Sequence, residues 1–581
     1  MGQNKPNRFL PLWLALSAII GIVVGTFYSN HLAGGRTTIS DAGGYLRINT
    51  APGIKKMSSL LELLGDQYVD SVDMVDLVEK SIPGILAELD PHSVYLPAKD
   101  AQMAADDLRG SFSGVGIEFI IRNDTLRVQN VITDGPAEEA GVLAGDKIIL
   151  VDDSVFTGSQ LTNEEAMRRL KGPRGTEVKL SVLRYGEKEL REMTVVRGEI
   201  PMRSVSAVYM VDELTGYMKI KNFGENTYPE VLVGLARLAQ EDFQQLIIDL
   251  RGNTGGYLES AKMIANEFLS KHRIIVYTEG RRSPRMVYQS DGRGTYQQMP
   301  IVVLIDEGSA SASEILAGAI QDNDRGMIIG RRSFGKGLVQ QPVEFNDGSM
   351  MRLTIARYYS PSGRCIQKPY TSGTDKDYVD DLLSRYEHGE YFSQDSIKHT
   401  GPEYHTVNGR IVYGGGGITP DIFVPEDTSD YTSYYKEAAM SGLILQFAYD
   451  YTDDNRKKLS EVQTIDQLVK HLKKQNLVER FAVYAEKRGL KRRNLMIQRS
   501  FQLLEHYIFS RVVYSTFDED AWIEFLNQRD PVIKEAQRVF NDGEAFPQKQ
   551  EEDEPEQSSK KVAQAFDYHA THECFSLIAK A

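Results

Sequence analysis

Four apolar runs constrain the architecture of this chain more than any other feature. Gly216-Tyr217-Met218-Lys219-Ile220, Gln245-Leu246-Ile247-Ile248-Asp249-Leu250, Pro300-Ile301-Val302-Val303-Leu304-Ile305 and Gly326-Met327-Ile328-Ile329 have strand length, and helix-spaced stretches such as Val231 to Gln240 and Leu258 to Leu269 separate them. Strands alternating with helices imply an α/β unit, and strands apolar along their whole length imply a sheet covered on both faces. The expected core runs from 201 to 428.

The turns around these strands carry the chemistry. After Leu250 comes Arg251-Gly252-Asn253-Thr254-Gly255-Gly256, a glycine-rich turn that exposes backbone donors ahead of a helix. Further on, Gly308-Ser309-Ala310-Ser311-Ala312-Ser313-Glu314 sets three serines before a helical stretch, and Ser333-Phe334-Gly335-Lys336-Gly337-Leu338-Val339-Gln340 sets a lysine between glycines. A serine hydroxyl becomes a useful nucleophile when a base removes its proton, and a neutral lysine amine can be that base. Bringing a lysine from its ordinary value to neutral pH takes about 4 kcal/mol of desolvation and charge effects. Phe334, Leu338 and Val339 are apolar enough to exclude water, and Gln340, four residues beyond the lysine, can accept from its amine. Other readings compete. Any of the three serines can simply cap the helix beginning near Glu314. Gly330 to Lys336 also fits the opening of a phosphate-binding loop, but Gly337 stands where that loop needs Ser or Thr, and Leu338 to Val343 reads as strand.

The runs EGSASASEILAGAIQD, SFGKGLVQ, LTIARYYSPSGRCIQ and GGITPDIFVP, together with LDPHSVYL (Leu89 to Leu96) and DLRGNTGG (Asp249 to Gly256), resemble the C-terminal processing peptidases, or tail-specific proteases. The likeness extends from about Met57 to Pro425. It implies a PDZ-containing serine peptidase with Ser311 as nucleophile, Lys336 as general base and Gln340 as the residue that orients the lysine. The N–H of Ala312 with one from Gly255 or Gly256 is then the expected oxyanion hole. The resemblance implies no metal or organic cofactor. A catalytically silent PDZ scaffold is the alternative from another functional class.

The full expectation is an α/β multidomain protein. Residues 101–200 alternate short strands with helices at Ala137 to Ala140 and Asn163 to Lys171, as PDZ domains do. There Gly114, Val115, Gly116 and Ile117 resemble a carboxylate-binding loop, with Ile117, Phe119 and Leu170 as pocket walls for a peptide added to the sheet edge. Residues 51–100 and 429–545 have helical spacing, and the resemblance implies a homo-oligomer, a dimer in the first instance. At the N-terminus, Lys5 and Arg8 precede an uncharged run from Phe9 to Phe27. As a helix that run reaches about 28 Å and can span a bilayer. Residues 1–30 are therefore expected to be an anchor, a cleaved signal peptide being the alternative, with the remaining domains exported and, in a bacterium with two membranes, periplasmic. A net charge of −14 argues against nucleic acid, and the resemblance implies protein or peptide substrates with accessible C-termini as partners. Cys365 and Cys574 are the only cysteines, so no disulfide framework is expected. Residues 546–581, rich in Glu and Asp, are expected to be a disordered tail.

Overall fold

The computed structural model describes residues 37–38, 52–184, 186–372, 378, 380–399 and 401–548. The run from Phe9 to Phe27, Cys574 and residues 549–581 of the acidic tail lie outside them. Among the described residues no helix is long and apolar enough to cross a membrane.

After a short strand at Thr37–Thr38 that pairs with Val343–Glu344, the described chain continues in two helices, α1 (Pro52–Gln67) and α2 (Met74–Ala87). Asp73 starts α2 by accepting from the N–H groups of Val75 and Asp76 at 3.0 and 3.1 Å. The chain then forms β1 (Val94–Leu96) and a helix over Ala98–Arg109, which crosses the boundary that the sequence pattern sets at residue 100.

The segment expected to be PDZ-like holds an antiparallel sheet of β2 (Ile117–Arg122), β3 (Thr125–Val131), β4 (Lys147–Val151), β5 (Glu177–Leu183) and β6 (Arg191–Val196), paired in that order. Alternate residues Val178, Leu180 and Val182 of β5 pack with Leu126 and Val128 of β3, and α3 (Asn163–Leu170) adds Ala166 and Leu170 to this core. β2 lies at the edge, with β3 as its paired neighbour.

The apolar runs form a second, mostly parallel sheet. Along the chain come β7 (Val205–Met210), β8 (Thr215–Ile220), α4 (Thr227–Gln240), β9 (Gln245–Asp249), α5 (Leu258–Phe268), β10 (Ile274–Glu279), β11 (Ile301–Ile305), α6 (Ala312–Asp322), β12 (Met327–Gly330), β13 (Leu338–Glu344), β14 (Met350–Tyr359) and β15 (Ile422–Phe423). The sheet order is β7-β8-β9-β11-β12-β15, with only the β7-β8 pair antiparallel. One face is covered by α4, α5 and α6 through Leu235, Ile264, Leu316 and their neighbours. The other is covered by the last two described helices. There α7 (Glu519–Asn527) and α8 (Pro531–Asn541) place Ile523, Ile533, Val539 and Phe540 against Ile247, Val302 and Leu304. The region expected to be one C-terminal helical unit thus serves two cores: helices between residues 433 and 516 share an apolar core to which α7 adds Phe525, while α7 and α8 also cover the parallel sheet.

A third sheet supports the site. β13 and β14 form an antiparallel hairpin, and the far edge of β14 pairs with β1 at one end and β10 at the other. This places the segment after α2 beside the strand that follows Lys336.

Candidate active site

Strands β9 and β11 run parallel in register, Asp249 beside Leu304, so the turns after them emerge side by side at their C-terminal ends. Side chains lock these turns together. Ser309 Oγ donates to Leu250 O and Ser313 Oγ to Asn253 O, both at 2.8 Å, and Ala310 N donates to Asn253 O at 2.9 Å. Ser309 and Ser313 are fully buried and committed to these carbonyls, whereas Ser311 between them is partly exposed. The three serines, alike in sequence, are therefore distinguished by packing. Ser311 sits immediately before α6 at φ +57° and ψ −113°, an unusual backbone for a residue with a side chain.

Glu314, one turn into α6, is 1 % exposed and gathers both loops. Its Oε2 accepts from Ser311 N at 2.8 Å and Lys336 N at 2.9 Å. Its Oε1 accepts from Ser333 Oγ at 2.5 Å and Gly335 N at 2.7 Å. Burial pushes the Glu314 carboxyl up to about 7, against the pull of these four donors. Tyr358 of β14 makes a second tie, its hydroxyl lying 3.1 Å from Ser311 O and in hydrogen-bond contact with Lys336 O.

The Lys336 amine donates to Gln340 Oε1 at 3.0 Å, and Gln340 Nε2 donates to His92 O. Burial pulls the amine below its ordinary value and the Arg352 guanidinium adds to that, while Glu314 and Asp90 pull the other way. Among the described residues the hydrogen bond of the amine goes to Gln340, and none joins it to the Ser311 hydroxyl. Strand β13 begins two residues after Lys336, so no helix follows the lysine as a phosphate-binding loop requires.

Models of known families match three parts of the chain: peptidase family S41 over residues 214–379, a PDZ domain over 113–195 and a family of unknown function over 434–518. A carboxy-terminal-processing protease of Bartonella bacilliformis is 36% identical over 323 residues, covering 55% of this chain and 74% of the relative. The chain belongs to the carboxy-terminal-processing protease family. It is a serine-type peptidase with a PDZ domain. The carboxy-terminal processing protease CtpB of Bacillus subtilis is 34% identical over 317 residues, 54% of this chain and 65% of that protein. Among solved structures, the photosystem II D1 C-terminal processing protease is 24% identical at a TM-score of 0.32, covering 63% of this chain and 92% of that one.

Within this family member the glycine turn differs from the sequence expectation. Gly255 is not a free oxyanion donor, because its N–H is given to Asn253 Oδ1 at 2.9 Å. Asn253 is fully buried and anchored in turn by Nδ2 to Ile220 O at 2.8 Å. Among the described residues the N–H groups of Gly256 and Ala312 have no acceptor. Gly255 instead provides clearance. At φ +103°, a Cβ there would lie 2.7 Å from Ser311 Cβ and from Ala310 O. Gly255→Ala is thus expected to lower kcat about 100-fold by displacing Ser311, with KM little changed, in steady-state kinetics.

In the PDZ segment Gly116, at φ +80°, turns the chain into β2, and Val115 is buried. Gly114 pairs with Gly198 below this turn. Ile117 and Phe119 are half-buried against the core that contains Leu170. Cys365 is half-buried, and burial pushes its thiol up, away from nucleophilic use. Glu314, Tyr358, Asn253 and His92 were not picked out by sequence. Only Glu314 carried a signal, as the third residue after a serine at a helix start.

Proposed function

We propose that the protein cleaves polypeptides that present an accessible C-terminus, capturing the tail on its PDZ domain and cutting with Ser311 and Lys336. The observation that carries this reading is the shared buried carboxylate: Glu314 holds the Ser311 and Lys336 backbones at once, and burial disfavours the charged form of the Lys336 amine. In the first step the amine accepts the Ser311 hydroxyl proton as Oγ bonds to the scissile carbonyl carbon. The N–H groups of Ala312 and Gly256 receive the oxyanion, a stabilisation in which one donor is typically worth about 3 kcal/mol. The ammonium then returns its proton to the departing amine, and water, activated by the same lysine, releases the acyl group. Hydrogen bonds between nucleophile and base commonly tighten only when substrate is seated, in keeping with an amine that rests on Gln340.

The edge strand β2 and the turn at Gly114 to Ile117 suit β-augmentation by a peptide tail, with N–H groups of the turn on its carboxylate. Full-length Ser311→Ala protein is expected to bind a C-terminally amidated peptide about 10-fold to 100-fold more weakly than its free-acid form, by fluorescence anisotropy. Equal affinities would remove carboxylate recognition from the reading. Mass spectrometry of tailed peptides incubated with the native protein tests cleavage itself, and binding without products would leave only the scaffold. The reading also includes an exported enzyme held at the membrane by Phe9 to Phe27 and paired as a dimer, which alkaline extraction of membranes and light scattering would check.

A further inference from the structure

We propose that the turn Asp90-Pro91-His92-Ser93 is a positioning element for the Lys336 amine, acting through the carbonyl of His92 and the side-chain amide of Gln340. The inference rests on the Ser311 and Lys336 reading above.

The turn belongs to the LDPHSVYL stretch, which lies some way before the PDZ segment and has no part in the mechanism so far. Asp90 is 6 % exposed and organises it. Its Oδ1 accepts from His92 N and Ser93 N, both at 2.9 Å, and from Thr354 Oγ1 at 3.0 Å. Its Oδ2 accepts from Ser93 Oγ at 2.6 Å, and Ser93 Oγ accepts from Thr354 N at 3.1 Å. Thr354 is the residue of β14 paired with Gln340 of β13. The turn is thus fastened to the same rung of the hairpin that carries Gln340, and its His92 carbonyl accepts from Gln340 Nε2.

That bond decides which end of the amide faces the lysine. With Nε2 held by His92 O, Oε1 is left to accept from the Lys336 amine at 3.0 Å, and the nitrogen lone pair stays available for a serine proton. A flipped amide would turn its NH2 toward the amine and occupy that lone pair. The ionisable groups around the amine are Glu314 from α6, Arg352 from β14 and Asp90 itself, with the His92 imidazole close by and bonded through Nε2 to the Tyr378 hydroxyl at 2.7 Å. The role assigned to Asp90 is mechanical: it shapes the turn that presents the carbonyl.

A double-mutant cycle on the full chain, read in kcat and KM, tests this. Asp90→Ala is expected to lower kcat about 100-fold while KM changes less than about 3-fold, because only the orientation of the base is lost. Asp90→Asn keeps an Oδ1 acceptor for the two N–H groups and is expected to recover kcat to within about 10-fold of native. In a Gln340→Ala background, Asp90→Ala should lower kcat by less than about 3-fold more, since the path to the amine is already cut. Losses that multiply in the double variant, or a loss carried by KM, would overturn the proposal. If Asp90→Ala does not accumulate as folded protein, Ser93→Ala replaces it in the cycle under the same criteria. Should Ser311→Ala and Lys336→Ala remain active, the parent reading fails; should they be inert while the cycle is multiplicative, only the positioning role fails.

Discussion

Ser311→Ala and Lys336→Ala are each expected to lower kcat for cleavage of a tailed substrate by about 10,000-fold or more, with tail binding unchanged. In the proposed mechanism the two residues act as one unit, so either loss removes nearly all of the effect and the double variant should be no worse than the singles. In the proposed mechanism serine contributes the attacking oxygen and lysine the base. The proposed tail binding should persist because the PDZ core and its edge strand share no residue with Glu314, Tyr358 or the two loops. Product formation followed by mass spectrometry, with anisotropy on the same preparations, separates the two quantities. A Lys336→Ala protein that cuts at native speed would assign the base elsewhere.

Glu314→Ala is expected to be the most damaging change outside the reacting pair. It strips the acceptor from four donors around a carboxylate that is itself buried, and an unpaired buried donor costs about 1–3 kcal/mol. A local loss of about 3 kcal/mol or more follows, read as roughly 100-fold faster hydrogen exchange at the Gly335 and Lys336 amides. Activity should fall as well, because the Ser311 and Lys336 backbones lose their common anchor. Glu314→Gln retains the shape but satisfies only one pair of donors, its NH2 opposing the other, so it should be intermediate. The pH dependence has a definite sign. Burial raises the folded-state carboxyl to about 7 above its unfolded value of about 4.3, so the native protein holds the extra proton between them. The stability contributed by this group is full below the unfolded value and is lost as pH rises through about 7. Exchange protection at 333–337 should weaken over that interval in the native protein and not in Glu314→Gln.

The strands were legible because uninterrupted apolar runs leave few alternatives: β9, β11 and β12 follow Gln245 to Leu250, Pro300 to Ile305 and Gly326 to Ile329 within a residue or two. The same runs predicted two covered faces, and the helical stretches between them became α4 and α5 on one face, but nothing in the pattern assigned α7 and α8 to the other. The amphipathic spacing of α7 and α8 is that of any bundle helix, and only packing shows Ile533 and Val539 on the sheet. At the site, serine and lysine were visible as side chains in glycine turns, whereas a backbone donor has no side-chain signature. That is why Gly255 and Gly256 looked equivalent until Asn253 Oδ1 was seen to occupy one of them. Glu314 read as an ordinary helix-start residue because capping and bridging two loops use the same carboxylate. His92 contributes through its carbonyl, from a segment about 250 residues before Gln340, a distance over which periodicity carries no information.

The central claim is that a lysine amine poised to lose its proton activates Ser311. The most direct measurement is the rate at which a fluorophosphonate modifies the full-length protein as a function of pH, with the modified residue located by peptide mass spectrometry. A single adduct on Ser311 is expected, formed at a rate that rises with pH along one ionisation below the ordinary lysine range, and lost in Lys336→Ala. An adduct on another residue, or an unchanged rate and pH profile in Lys336→Ala, would contradict it.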